Sequence, residues 1–227
     1  MTSALARRLG YKFVDDQLLT TALTHRSVTK HNNERLEFLG DSVLSCVISD
    51  LLFKYRPDAD EGDLSRLRAR LVREETLAQV ARGLVLEEFL RLGEGELKSG
   101  GFRRASILAD ALEAVLAAVF LDGGFQATYQ VIETLFTPLL ETLPAAESLK
   151  DPKTRLQEWL QARGLELPRY ELLDQSGPDH KRTFKVACYA GSQDHAWTSQ
   201  GSSRRRAEQA AAELALQDLA SQANTTS

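Results

Sequence analysis

Between residues 15 and 143, apolar side chains return at intervals of three and four. Leu18, Leu19, Ala22 and Leu23 form one such group, Leu36, Leu39, Val43 and Val47 a second, and Leu64, Leu67 and Leu71 a third. That period places apolar residues on one face of a helix, so the stretch predicts helices almost throughout. Residues 107–121 are apolar on nearly every side except at Asp110 and Glu113. A buried helix is predicted there, and its two acids need a partner because isolated buried charge is very costly. A further helix is predicted over residues 126–143. Residues 93–101 read as a glycine-rich loop. Its Gly-x-Gly follows no strand and opens no helix with a third glycine, so a dinucleotide site is rejected.

The periodicity breaks over residues 144–152, where Pro, Ala, Ser and Lys mark a linker. Beyond it the pattern changes. A helix over residues 152–164 precedes three β-rich runs, 169–174, 182–190 and 195–201, of which the last two form a hairpin. Residues 202–219 are an alanine-rich amphipathic helix. The chain therefore predicts an all-α domain over residues 1–146, followed by a small α+β domain, α-β-β-β-α, over residues 151–221.

Composition changes this picture little. The 227 residues suffice for two ordinary domains, and 43% hydrophobic content predicts packed cores. The apolar runs are too short to span a membrane, and no apolar segment follows the basic N-terminus as in a signal peptide. Cys46 and Cys188 lie far apart in apolar surroundings and read as buried thiols in a reducing, cytoplasmic setting. The net charge of −4 is unevenly placed. Residues 1–147 hold 17 Lys and Arg against 22 Asp and Glu, whereas residues 148–227 hold 11 against 10. Total charge neither supports nor excludes a nucleic-acid partner.

The chemistry concentrates in residues 33–42, Asn-Glu-Arg-Leu-Glu-Phe-Leu-Gly-Asp-Ser. Glu34, Glu37 and Asp41 are three and four residues apart, on one helical face, where like charges repel. A divalent cation would offset that repulsion; a solvated acidic face is the alternative. Asp110 and Glu113 form a second pair at i, i+3. Facing Glu37 and Asp41, they would complete an oxygen-only cage suited to Mg²⁺ or Mn²⁺. His25, His31 and His195 lack partners at zinc spacing.

That ten-residue string resembles the signature of the ribonuclease III family, which cuts double-stranded RNA. Two further blocks resemble it too: residues 96–104 with 106–114, and residues 151–158 with 201–213. The likeness spans nearly the whole chain, in the order of the bacterial type with one endonuclease domain and one double-stranded RNA-binding domain. It implies a Mg²⁺-dependent endoribonuclease with Glu37, Asp41, Asp110 and Glu113 as metal-binding, catalytic acids, and Mn²⁺ able to substitute. It also implies that Glu34 and Glu61 sit near those ligands, although residues 60–63 also suit a helix N-terminus, with Asp63 as a cap. Phe38 is implied to plug a pocket of a second subunit in a homodimer, the alternative being core packing. The resemblance implies a short 3′ overhang, and ribosomal RNA precursors and structured messengers as substrates.

For duplex binding, Arg204, Arg205 and Arg206 carry the strongest phosphate signal, at the opening of the last helix. Thr154, Gln157, Glu158 and Gln161 share a polar face opposite Leu156, Trp159 and Leu160. Uncharged donors there suit the RNA minor groove and its 2′-hydroxyls. The resemblance adds His180, in the loop between the first two strands, and backbone contacts from Lys98, Arg103 and Arg104. Two rival readings stand beside the nuclease. One is a non-cleaving RNA-binding regulator, favoured had a metal acid been lost; the other is a phosphohydrolase of small nucleotides, disfavoured by a duplex-binding domain.

Overall fold

The apolar period of three and four is realised as helices. The computed structural model describes residues 2–144, 150–178, 181–191 and 195–225. The chain divides into two compact units, residues 1–146 and 147–227. The first is helical: α1 Thr2–Leu9, α2 Asp16–Ala22, α3 Glu34–Tyr55, α4 Glu61–Leu71, α5 Glu74–Gly83, α6 Glu94–Lys98 and α7 Ala105–Glu141. Asp15 caps α2 by accepting from Gln17 N–H, and Asp60 caps α4 by accepting from Asp63 N–H. The cap of α4 is thus Asp60; Asp63 instead pairs with Arg66 one turn on.

Helix α7 is the spine, with α2, α3 and α5 packed against it. Ile107, Leu108, Leu112, Val115, Leu116 and Val119 are all buried, and each such side chain stabilises the fold by about 1.5–3 kcal/mol. The two helices expected over residues 107–121 and 126–143 run on as one element broken at Gly124, whose φ of 77° no other residue type adopts easily. Just before the break, Asp122 accepts hydrogen bonds from Tyr11 Oη (2.7 Å) and from the N–H groups of Val14 (2.8 Å) and Asp15 (2.9 Å). These tie the segment after α1 to the spine. The glycine-rich stretch is not a plain loop: it forms the one-turn helix α6 and a 3₁₀ turn at Gly101–Arg103.

One close approach fixes the relation of α3 to α7. A Cβ built on Gly40 would lie 1.9 Å from Glu113 O, so only glycine admits this backbone contact. Cys46, expected to be buried, lies exposed on α3; Cys188 is buried as expected, and neither is in a disulfide. Helical geometry explains the difference, since position 46 shares the face of Phe38, Ser42 and Phe53, away from the buried Leu44, Ile48 and Leu51.

The second unit is α8 Pro152–Gln161, β1 Arg169–Ser176, β2 Thr183–Tyr189, β3 Ala196–Gly201 and α9 Arg204–Thr225. The strands form an antiparallel sheet in the order β1-β2-β3, with a bulge in β1 between Leu172 and Asp174. Leu156 and Leu160 of α8, Cys188 and Trp197 of the sheet, and Ala211, Ala212, Ala215 and Leu216 of α9 form its core. Small alanines let α9 lie close to its neighbours, and Trp197 Nε1 donates to Asp218 (3.0 Å). Lys153–Glu208 (2.6 Å) and Arg155–Glu213 (3.0 Å) bridge α8 to α9. Most of the linker expected over 144–152 lies outside the described residues. No helix of the described residues is long and apolar enough to cross a membrane.

Candidate active site

The Gly40 contact brings the acids of two helices together. Among the described residues, one group of side chains could hold a metal ion: Glu37 of α3 with Asp110 and Glu113 of α7, their oxygens within 4.8 Å of one another. Glu37 and Asp110 also line a cleft of about 350 Å³ together with His25, Arg26, Asn33 and Arg104. That space suits a phosphate group and hydrated cations but not a whole duplex, which would have to lie across its mouth.

Electrostatics record how tightly these acids are held. Burial, followed by the charges of Asp41, Glu37 and Asp110, pushes the Glu113 carboxyl up to about 8. Glu37 is raised by burial and then by Asp110 and Glu34, with Arg26 opposing. Asp110 is raised by burial and then by Glu74, with His25 and Arg26 opposing. Three crowded carboxyls with no cation beside them favour protonation. An oxygen-only donor set of this kind fits a hard divalent cation, which removes the repulsion.

Asp41, the fourth acid of the cage inferred from sequence, is not one of these three. It is exposed, although its charge still acts on Glu37 and Glu113. Glu34 lines the cleft and pairs with Arg26 at 3.4 Å. Glu61 does not reach the cleft of its own chain; it is exposed at the start of α4 and accepts from Ser65 Oγ (2.8 Å). Phe38, 79% exposed on the outer side of α3, does not pack in the core.

Several cleft residues carried no sequence signal as site residues. His25, which lacks partners at zinc spacing, lines the cleft, and its Nδ1 lies 2.8 Å from Ser27 Oγ. The segment holding both is tied down where Gly93 N–H donates to Ser27 Oγ (2.9 Å). Arg104 is clamped by Glu96 (3.0 Å) and Ser99 (3.1 Å) at the cleft edge. Lys98 is a surface side chain paired with Glu94 (3.6 Å), and Arg103 stacks over Phe102 (5.2 Å).

In the second unit, Thr154, Gln157 and Gln161 are exposed on α8 while Leu156 and Leu160 face the core. Arg204, Arg205 and Arg206 open α9, with Arg206 N–H capped by Ser203 Oγ (3.2 Å). They are exposed but not idle: Arg204 pairs with Glu208 (2.9 Å) and Arg205 with Asp151 (3.5 Å), while Arg206 donates to Ser202 Oγ (3.1 Å). His180 lies outside the described residues.

Residues 15–139 match the family model described as Ribonuclease-III-like, and residues 152–219 match the Double-stranded RNA binding motif. The chain is similar to Ribonuclease 3 of Dechloromonas aromatica (strain RCB), 57% identical over 220 residues, covering 96% of this chain and 99% of the relative. It is also similar to Ribonuclease 3 of Pseudomonas fluorescens (strain SBW25), 56% identical over 219 residues, covering 95% and 96%. Among solved structures it resembles the nuclease domain of ribonuclease III from Campylobacter jejuni, 43% identical with a TM-score of 0.60. That match covers 61% of this chain and 97% of the other, whose description mentions a region involved in dimer formation.

Proposed function

The chain belongs to the ribonuclease III family, and on that premise we propose how its cleft and its second unit divide the work of cutting RNA. It is an endoribonuclease of double-stranded RNA. Glu37, Asp41, Asp110 and Glu113 hold Mg²⁺, with Mn²⁺ able to substitute. When bound, the cation supplies an activated water and offsets charge building on the phosphate and leaving oxygen. The chain's own part is to converge the carboxylates, to give up the proton that burial favours on Glu113, and to exclude bulk water along the buried side of α7. Glu34 orients groups around the acids, and we keep Glu61 with it as an acid near the ligands. The observation that carries the reading is the meeting of Glu37, Asp110 and Glu113 within 4.8 Å from two helices.

The second unit grips the duplex. Thr154, Gln157 and Gln161 address the minor groove, with His180 as a neighbouring contact, and Arg204, Arg205 and Arg206 take phosphates. Recognition through shape and 2′-hydroxyls implies weak sequence preference. The functional domains span residues 1–146 and 151–221. The enzyme works as a cytoplasmic homodimer, one strand cut per subunit to leave a short 3′ overhang, on ribosomal RNA precursors and structured messengers. Exposed Phe38 supports the dimer, as does a hollow of about 530 Å³ in the same unit, lined by Leu18, Leu36, Leu39 and Leu121. Knob and hollow on one chain are what a two-fold interface needs.

Glu113→Gln tests the site. Gln keeps the size and helix propensity of Glu but is a poor ligand for a hard cation. Gel shift in Ca²⁺ should show duplex binding intact, while cleavage in Mg²⁺ is lost and returns in part with Mn²⁺ or high Mg²⁺. Cleavage at the parental rate would remove Glu113 from the site. A parent protein that binds duplex but never cuts it would favour the non-cleaving regulator.

A further inference from the structure

Asn33 is 4% exposed, lines the cleft beside Glu37 and Asp110, and makes no side-chain hydrogen bond among the described residues. Its amide atoms are not sealed from solvent, so in an otherwise buried residue they open on the cleft without a partner from the chain, and that placement calls for a reason. Helix capping, the ordinary use of asparagine before a helix, is not the reason. Asn33 has helical backbone angles (φ −83°, ψ −10°), and its side chain makes no cap bond. The cap is supplied one residue earlier, where Asn32 Oδ1 accepts from Glu34 N–H (3.0 Å). Asn33 O accepts from Glu37 N–H (2.9 Å), so its side chain sits one turn before Glu37, on the same side of α3.

We propose that the Asn33 amide donates a hydrogen bond to a non-bridging phosphate oxygen of the RNA strand in the cleft and so orients the phosphodiester against the acids. This rests on the reading of the cleft as the cutting site. The residue type fits the surroundings. An arginine here would pair with Glu37 and occupy the group it should serve, and an aspartate would add a further negative charge to a crowded cluster. A neutral amide offers two N–H donors to an anion while leaving the acids free. Arg26 and Arg104 on the same cleft add positive charge for the rest of the phosphate.

The test uses Asn33→Ala, Asn33→Asp and, as a control, Asp110→Asn in the full-length chain. Single-turnover cleavage in Mg²⁺, duplex affinity in Ca²⁺ and melting temperature are measured for each. Both Asn33 variants should cut about 10- to 100-fold more slowly, the loss expected for one hydrogen bond to a charged oxygen, with affinity and melting temperature unchanged in the Ala variant. Aspartate caps a helix as well as asparagine does but has no N–H to donate. An Asp variant that keeps both melting temperature and cleavage, beside an Ala variant that loses both, makes Asn33 a cap and overturns the inference. Parental cleavage by either Asn33 variant, with Asp110→Asn inactive, overturns it while sparing the cleft. Parental cleavage by Asp110→Asn removes the cleft as the cutting site, and the inference falls with it.

Discussion

At the scale of single residues, the raised carboxyls couple stability to pH and to cations. The Glu113 carboxyl titrates near 8 in the folded chain, against about 4.3 for an ordinary Glu, and Glu37 and Asp110 shift the same way. The folded state therefore binds more protons than the unfolded state between those limits, and stability falls as pH rises from about 4.5 through 8. In EDTA the protein should melt lower at pH 8 than at pH 5.5. Mg²⁺ should raise the melting temperature more at pH 8, where the acids have lost their protons. A cation effect independent of pH would show that these carboxyls are not its ligands. The pairing of Glu37 with Asp110 and Glu113 was legible in sequence because acids inside apolar helices need partners. Gly40 was not, because the demand for glycine comes from Glu113 O on another helix. Nor was Asn33, whose spare amide shows only once Asn32 is seen to cap Glu34.

At the scale of elements, periodicity found α2, α3, α4 and the first half of α7, where apolar faces are long and regular. It singled out neither α1 nor α5, helices of 8 and 10 residues, each too short to repeat an apolar face more than two or three times. It read α6 as loop, since glycine content outweighed a single turn stabilised by local contacts. The three strands were legible from alternation and Trp197. The outer side of α3 is the element with a testable consequence. Phe38 (79% exposed) and Phe53 (69% exposed) share one face of α3 with Ser42, Cys46 and Ser49, whose Oγ accepts from Arg68 of α4 (3.0 Å). Phe38→Ala should weaken self-association by roughly 2 kcal/mol or more, as loss of a central aromatic anchor does. Sedimentation at falling protein concentration measures it, and an unchanged dimer would free Phe38 from the interface.

For the whole molecule, a net charge of −4 is unusual for a protein that grips a polyanion. Binding must rest on local clusters. Replacing Arg204, Arg205 and Arg206 by Ala should weaken duplex binding and lower its log–log salt slope by roughly 0.9 for every phosphate no longer neutralised, if the duplex behaves like B-DNA. Arg204 and Arg205 already pair with Glu208 and Asp151, so the total change should fall short of one phosphate for each arginine. Binding measured from low to moderate salt decides it, and an identical slope in both proteins would mark the arginines as solvated charge. The division of the acidic group between α3 and α7 also bears on synthesis at the ribosome. Glu37 leaves the exit tunnel long before Asp110 and Glu113, and the duplex-gripping unit follows them. A chain stalled or truncated before α7 carries half a site and cannot nick the structured RNA around it, the messenger that encodes it included. With the proposed site, destructive capacity arrives only once α7 has joined α3.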